Sequence, residues 1–171
     1  LLIISTSAGL WSYNIGDTIK FTSIDPYRII VSGRIKHFLS AFGEHVISEE
    51  VEKAMEAATK LHNVAIREFT VAPNINPIDM LPHHEWYVEF ENFPEDMSAF
   101  IKSLDNEMIN QNIYYKDLID GKILKSLEVI SVERGGFNNY MKSVGRLGGQ
   151  NKVPRLSNDR KIADKLKTIN A

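Results

Sequence analysis

An α+β fold is expected from this chain: a small mixed or antiparallel sheet with helices packed on one face, preceded by a short β-hairpin or barrel remnant. Residues 1–34 read as short strands separated by turn signals. From residue 37 onward, amphipathic helical spacing alternates with β-rich runs, an order that builds a helix-covered sheet. The composition, 43% hydrophobic and 25% charged over 171 residues, is that of an ordinary globular domain with enough apolar material for a core.

The elements follow in chain order. Leu1 to Thr6 is an apolar strand entered without a methionine or a charged leader, so residues upstream are expected. Trp11 to Thr22 is a second strand with a bend at Gly16-Asp17, Asp25-Pro26 is a turn, and Tyr27 to Ser32 is a third strand ended by Gly33-Arg34. Ser48 is placed as an N-cap before Glu49 and Glu50, and Val51, Ala54, Met55, Ala58 and Leu61 give a helix to about His62. Val64 to Val71 is β-rich, and the prolines between Pro73 and Pro82 predict a loop. Glu85 to Glu91 alternates, with Trp86, Val88 and Phe90 inward and the glutamates outward, as in a half-buried strand. Pro94 opens a helix striped by Met97, Phe100, Ile101, Leu104 and Met108. Asn112 to Lys122 fits no single pattern. Leu127 to Glu133 is a strand, Phe137 to Val144 a short helix ended by Gly148-Gly149, and Asn158 to Ile169 a last helix. A boundary near Arg34 to His37 divides the end of one β subdomain, 1–36, from an α+β domain, 37–171.

A net charge of -2 supplies no field for nucleic acid or an anionic membrane. Without cysteine there is no disulfide, thiolate metal site or thiol nucleophile, which fits a reducing cytoplasm. No apolar run is long enough to span a bilayer.

Three motifs offer chemistry, each with a plain structural alternative. In Tyr13-Asn14-Ile15-Gly16-Asp17, the aspartate after a glycine bend can accept both hydroxyls of a ribose, or simply satisfy turn amides. In Gly33-Arg34-Ile35-Lys36, followed by Phe42-Gly43-Glu44, the arginine can grip ribose or phosphate oxygens, or sit solvated on a hairpin. In Gly148-Gly149-Gln150-Asn151-Lys152-Val153-Pro154-Arg155, a lysine on a glycine-rich, proline-stiffened loop can stabilise charge developing between a carboxylate and a phosphate, or belong to a basic linker.

Taken in order and at this spacing, the motifs resemble the adenylate-forming superfamily. Trp11 to Asp17, Ser32 to Leu39 and Gln150 to Arg155 are similar to the auxin-responsive (Gretchen Hagen) acyl-acid amido synthetases, especially their bacterial relatives. The resemblance covers nearly the whole chain. It implies the C-terminal lid of an ATP-dependent ligase that forms an acyl-adenylate and then an amide. In that reading Asp17 binds the ribose of ATP or AMP, Tyr13 lies near the adenine or phosphate side, and Arg34 contacts the nucleotide. Lys36 is the hinge and Lys152 the catalytic lysine. Phe42, Gly43 and Glu44 face the acceptor amine after rotation. Mg²⁺ and most nucleotide contacts are expected from an N-terminal domain outside this chain. The implied partners are a carboxylic acid, an amine such as an amino acid, and that domain. The sequence departs from the superfamily in having Ile15-Gly16-Asp17 for Thr-Gly-Asp, and Asn151-Lys152-Val153-Pro154-Arg155 for Pro-Lys-x-x-x-Gly-Lys. An acyl-CoA ligase and a non-catalytic α+β binding module are the rival readings.

Other residues read as structure. His83 and His84 point to opposite strand faces and do not share a metal. His37 and His45 are loop histidines near the hinge. Glu89, Glu91, Glu95 and Asp96 form a solvated acidic patch, and Tyr114-Tyr115 pack either at an interdomain surface or in the core.

Overall fold

The computed structural model describes residues 2–34, 38–146, 148 and 151–169. Two small antiparallel units come first. β1 (Ile3–Ile4) pairs with β2 (Tyr13–Asn14), and β3 (Asp17–Ile24) pairs with β4 (Tyr27–Arg34) in a hairpin. The predicted bend divides the expected second strand into β2 and β3. Gly16 takes φ +80, and its N–H is closed by Asn14 Oδ1 at 2.9 Å. The strands up to β4 form hairpin pairs, and among the described residues no closed barrel is present. The predicted boundary and hinge, Ile35 to His37, lie outside the described residues.

The main body is a three-stranded sheet in the order β7-β8-β9: β7 (Ala65–Asn74), β8 (His83–Asn92) and β9 (Glu128–Ser131). β7 and β8 are antiparallel and β9 runs parallel to β8, so the sheet is mixed. A short pair, β5 (Phe38–Leu39) with β6 (Val46–Ile47), leads into α1 (Ser48–Leu61). α2 (Met97–Gln111) and α3 (Ile113–Asp120) join β8 to β9, and α4 (Gly136–Ser143) and α5 (Lys161–Ile169) follow.

The side-chain alternation of β8 divides the core in two. Trp86, Val88 and Phe90 pack with Phe69 and Val71 of β7 against Val51, Ala54, Met55 and Ala58 of α1 and Phe100, Leu104 and Met108 of α2. Tyr87 and Ala72 point the other way, onto Phe137 and Met141 of α4 and Ile162 and Leu166 of α5. The α+β class therefore stands as expected, with one refinement: both faces of the sheet are covered. β8 is buried from His83 to Phe90 rather than half-buried.

Several local expectations are corrected. Ile47, not Ser48, is the N-cap of α1, and Glu50 accepts its N–H at 3.0 Å. β7 continues through Pro73, because Val71 N–H and C=O face Arg155 and Ser157, away from β8. Pro73 shares that orientation two residues on, where no ladder partner needs its missing N–H. Asp96, accepting from Ala99 N–H at 3.0 Å, caps α2, which leaves Pro94 outside the helix. The ambiguous segment forms α3, and α4 ends at Ser143, with Gly145 rather than Gly148 just beyond it.

The expected acidic patch is also revised, since Glu89 is buried. Its carboxylate accepts the N–H groups of Gly135 (2.7 Å) and Phe137 (3.3 Å), the orphan donors at the start of α4. Glu85, 3% exposed, accepts from Tyr87 Oη (2.6 Å), Arg160 Nη2 (2.7 Å) and Lys167 Nζ (3.1 Å). Arg160, the residue before α5, also donates to Pro73 O at 2.8 Å, so the entry to α5 is tied to β7 and β8 together.

Burial alone would raise the Glu85 pKa, but the hydrogen bonds from Tyr87, Arg160 and Lys167 outweigh it and hold it at about 2 against an ordinary 4.5. A depressed carboxyl pKa contributes stability above the unfolded value, and this is lost as pH falls toward the folded value. Acidification from pH ~4.5 to ~2 is thus expected to remove on the order of 3 kcal/mol more from the wild type than from Glu85→Gln. Parallel stability curves for the two would refute this. Replacing Glu89 by Leu leaves the N–H groups of half-buried Gly135 and buried Phe137 without that acceptor and is expected to lower unfolding stability by about 3 kcal/mol in urea titrations. A change below about 0.5 kcal/mol would show that α4 does not depend on that carboxylate.

Candidate functional site

The predicted site residues fall into three places. Asp17 opens β3 and Arg34 closes β4, and the hairpin register sets them opposite each other. Tyr13 is in β2, half-exposed beside the same bend. The sequence-predicted trio of Tyr13, Asp17 and Arg34 is therefore gathered at one end of the hairpin system. Lys36 and His37 lie outside the described residues.

Lys152 stands elsewhere, on the strap before α5. The strap is pinned immediately after it. Thr70 Oγ1 donates to Pro154 O at 2.7 Å, and Leu156 forms a parallel bridge with Val71. Arg155 is the main fastening. Its guanidinium pairs with Glu68, donates to Phe69 O at 3.0 Å, reaches Glu52 at 3.2 Å and lies over the Phe69 ring at 4.5 Å. Lys152 itself is exposed and makes no hydrogen bond or ion pair with any described residue. It borders two open clefts. One, about 260 Å³, is lined by Arg67, Glu89, Phe137, Asn138, Asn151 and Lys152 among others. The other, about 270 Å³, adds Ser48, Glu52 and Arg155. Asp17 is among the described lining of neither cleft. Among the described residues this ammonium has no ion-pair partner, a disposition suited to meeting an anion.

The Phe42-Gly43-Glu44 turn is a third place, and its geometry differs from a simple outward display. Gly43 is exposed at φ +89, but Glu44 turns its carboxylate fully into the core. Oε2 accepts Phe42 N–H at 2.8 Å, and Oε1 lies 3.0 Å from His84 Nε2. Because an ionised carboxylate only accepts, Nε2 carries the proton of that bond. Burial would raise the Glu44 pKa, but the His84 hydrogen bond and charge, with the Phe42 N–H, outweigh it and hold it below the usual range. The His84 ring stacks with both Phe42 (centroids 6.1 Å) and Tyr115 (5.2 Å). Tyr115 is buried, donating its hydroxyl to Asp105 at 2.7 Å, whereas Tyr114 is exposed with its ring edge-on to His45. Sequence reasoning missed His84. Its only signal was position: an even-numbered β8 residue shares the face of Trp86 and must be satisfied there.

One grouping has metal-binding geometry, since ligand atoms of His83, Glu85 and Glu128 lie within 4.8 Å of one another. Its two carboxylates are already engaged. Arg160 and Lys167 hold Glu85, Lys125 pairs with Glu128, and His83 Nε2 stands 3.3 Å from Glu128. A dication there would face three fixed cations, so the donor set does not fit one. Among the described residues, no helix is long and apolar enough to cross a membrane.

Comparison with known proteins follows the same outline. A search of curated protein sequences finds no match. Among solved structures, the chain is similar to a GH3.15 acyl acid amido synthetase at TM-score 0.75 and 21% identity, covering 97% of this chain and 32% of that one. It is similar to an AtGH3.15 acyl acid amido synthetase in complex with 2,4-DB at TM-score 0.74 and 20% identity, with the same coverage. At such identity these likenesses establish the fold, and the chain spans about a third of those proteins' length. The model of the GH3 family C-terminal domain matches residues 49–161. That match runs from α1 to the first residue of α5, and by it the chain belongs to the GH3 family, whose C-terminal domain it carries.

Proposed function

We propose that this chain is the C-terminal lid of an ATP-dependent, AMP-forming acyl-acid amido synthetase. Residues 1–36 would end the N-terminal adenylation domain, and 37–171 would swing as a body about Lys36. Family membership supports the ligase class, and the fold neighbours bear the same enzyme name. The observation that carries the reading is Lys152: a cation without a partner among the described residues, bordering open clefts, on a strap bolted to the sheet edge.

In the first half-reaction a carboxylate oxygen of the acid attacks the α-phosphorus of ATP and pyrophosphate leaves. Mg²⁺ enters with ATP, and its ligands are assigned to the N-terminal domain. Asp17 would accept the ribose hydroxyls, with Arg34 and Tyr13 beside the nucleotide. The Lys152 ammonium would sit between the acid's carboxylate and the α-phosphate, where negative charge concentrates. The lid would then rotate and bring the Phe42-Gly43-Glu44 turn to the acyl carbon. An amine nitrogen attacks that carbon, AMP leaves with the bonding pair, and the nitrogen gives its proton to solvent. AMP is a far better leaving group than the oxide of a free carboxylate, which is why activation precedes amide formation.

In the full protein, Lys152→Ala is expected to lower acid-dependent ATP–pyrophosphate exchange by about 100-fold or more. Attack of the amine on supplied acyl-adenylate should survive. Undiminished exchange would remove Lys152 from this role. Thioester products in place of amides would select a CoA ligase, and absence of both would leave a binding module.

A further inference from the structure

We propose that His84 is a positioning residue for the amide-forming step, acting through Glu44 to hold the Phe42-Gly43-Glu44 turn. The inference rests on the reaction proposed above, in which that turn meets the acceptor side.

The turn has an unusual anchor. A glycine at φ +89 and His45 at φ +48 flank Glu44 and rotate its carboxylate inward. One oxygen closes the turn on itself through Phe42 N–H, and the other ties it to β8 through His84 Nε2. Both Glu44 and His84 are fully buried, so water cannot replace either partner. The imidazole is in turn fixed from behind. Its stack on Tyr115 is backed by the Tyr115–Asp105 bond, and Asp105 also accepts Leu127 N–H at 3.1 Å, which reaches the entry to β9. Phe42 also stacks with the ring, at 28°, and so takes its orientation from His84 as well.

Loss of the imidazole donor would leave a buried carboxylate with only backbone N–H groups of its own turn to satisfy it, and such a group relaxes by moving out or taking a proton. Either outcome displaces the turn. The Lys152 strap has its own fastenings at Thr70, Val71 and Arg155, none of them through His84. The two half-reactions should therefore separate.

His84→Phe in the full protein keeps an aromatic ring in the stack and removes the donor. Acid-dependent exchange should stay within about threefold of wild type, while kcat for amide formation from supplied acyl-adenylate falls roughly 10- to 100-fold. His84→Gln, whose amide nitrogen can reach the same oxygen, should recover most of that loss. Chymotryptic cleavage after Phe42 should quicken by about tenfold in His84→Phe and not in His84→Gln. Equal losses in both half-reactions, or a loss in neither, would overturn the proposal, as would unaltered cleavage at Phe42. A wild-type protein without exchange would instead overturn the parent reaction, and the cleavage measurement would still decide whether His84 holds the turn.

Discussion

The structure depends on a single strand buried on both faces although half of its inner residues are polar. β8 runs His83-His84-Glu85-Trp86-Tyr87-Val88-Glu89-Phe90 through the middle of the molecule. Taking such side chains out of water is costly unless each finds a charge or hydrogen-bond partner. Each partner comes from a different element. His84 takes Glu44 from the turn before β6, Glu85 takes Lys167 from α5 and Arg160 from the residue just before it, and Glu89 takes the first N–H groups of α4. Apolar packing gives the body its bulk, while these polar links fix which element lies where.

This arrangement bears directly on the proposed role. A lid that rotates as a unit must carry its working groups on a stiff frame. The Lys152 strap is fastened to the free edge of β7, and the Phe42–Glu44 turn is fastened to β8. The sheet connects them, so a rotation that withdraws one can deliver the other without internal repacking. The hairpin of β3 and β4 carries Asp17 and Arg34 on a separate small sheet. That separation is what a nucleotide-holding piece and a moving piece would require.

Much of the frame was readable from local pattern. α1 and α2 follow from helical spacing, the hairpin from Asp25-Pro26, and β8 from its strict alternation. The second face was not readable in that way. Alternating glutamates look solvated unless something covers them, and the covering groups lie 75 residues away at Arg160 and 46 away at Gly135. A count of faces gives the missing hint. Phe137, Met141, Ile162 and Leu166 need an apolar surface, and α1 and α2 already occupy the first one. Likewise, Glu44 belonged to a recognised motif, but its inward aim depends on two left-handed neighbours, one of them a histidine, a residue type that takes positive φ in only a minority of cases. For the site, the sequence indicated Asp17 at a glycine bend, Arg34 at a strand end and Lys152 on a loop, while the hairpin register that sets Asp17 opposite Arg34 came from the structure. The clamp by Arg155 that fixes the loop was seen only in three dimensions.

If β8 truly organises its surroundings, the groups it recruits should open only when it opens. Amide hydrogen exchange across a denaturant series on the full protein measures this directly. The account predicts that the N–H groups of Phe42, Gly135 and Phe137 exchange with the same free energy and denaturant slope as residues 84–90. Exchange of those three through small, denaturant-independent fluctuations, with β8 still protected, would contradict it.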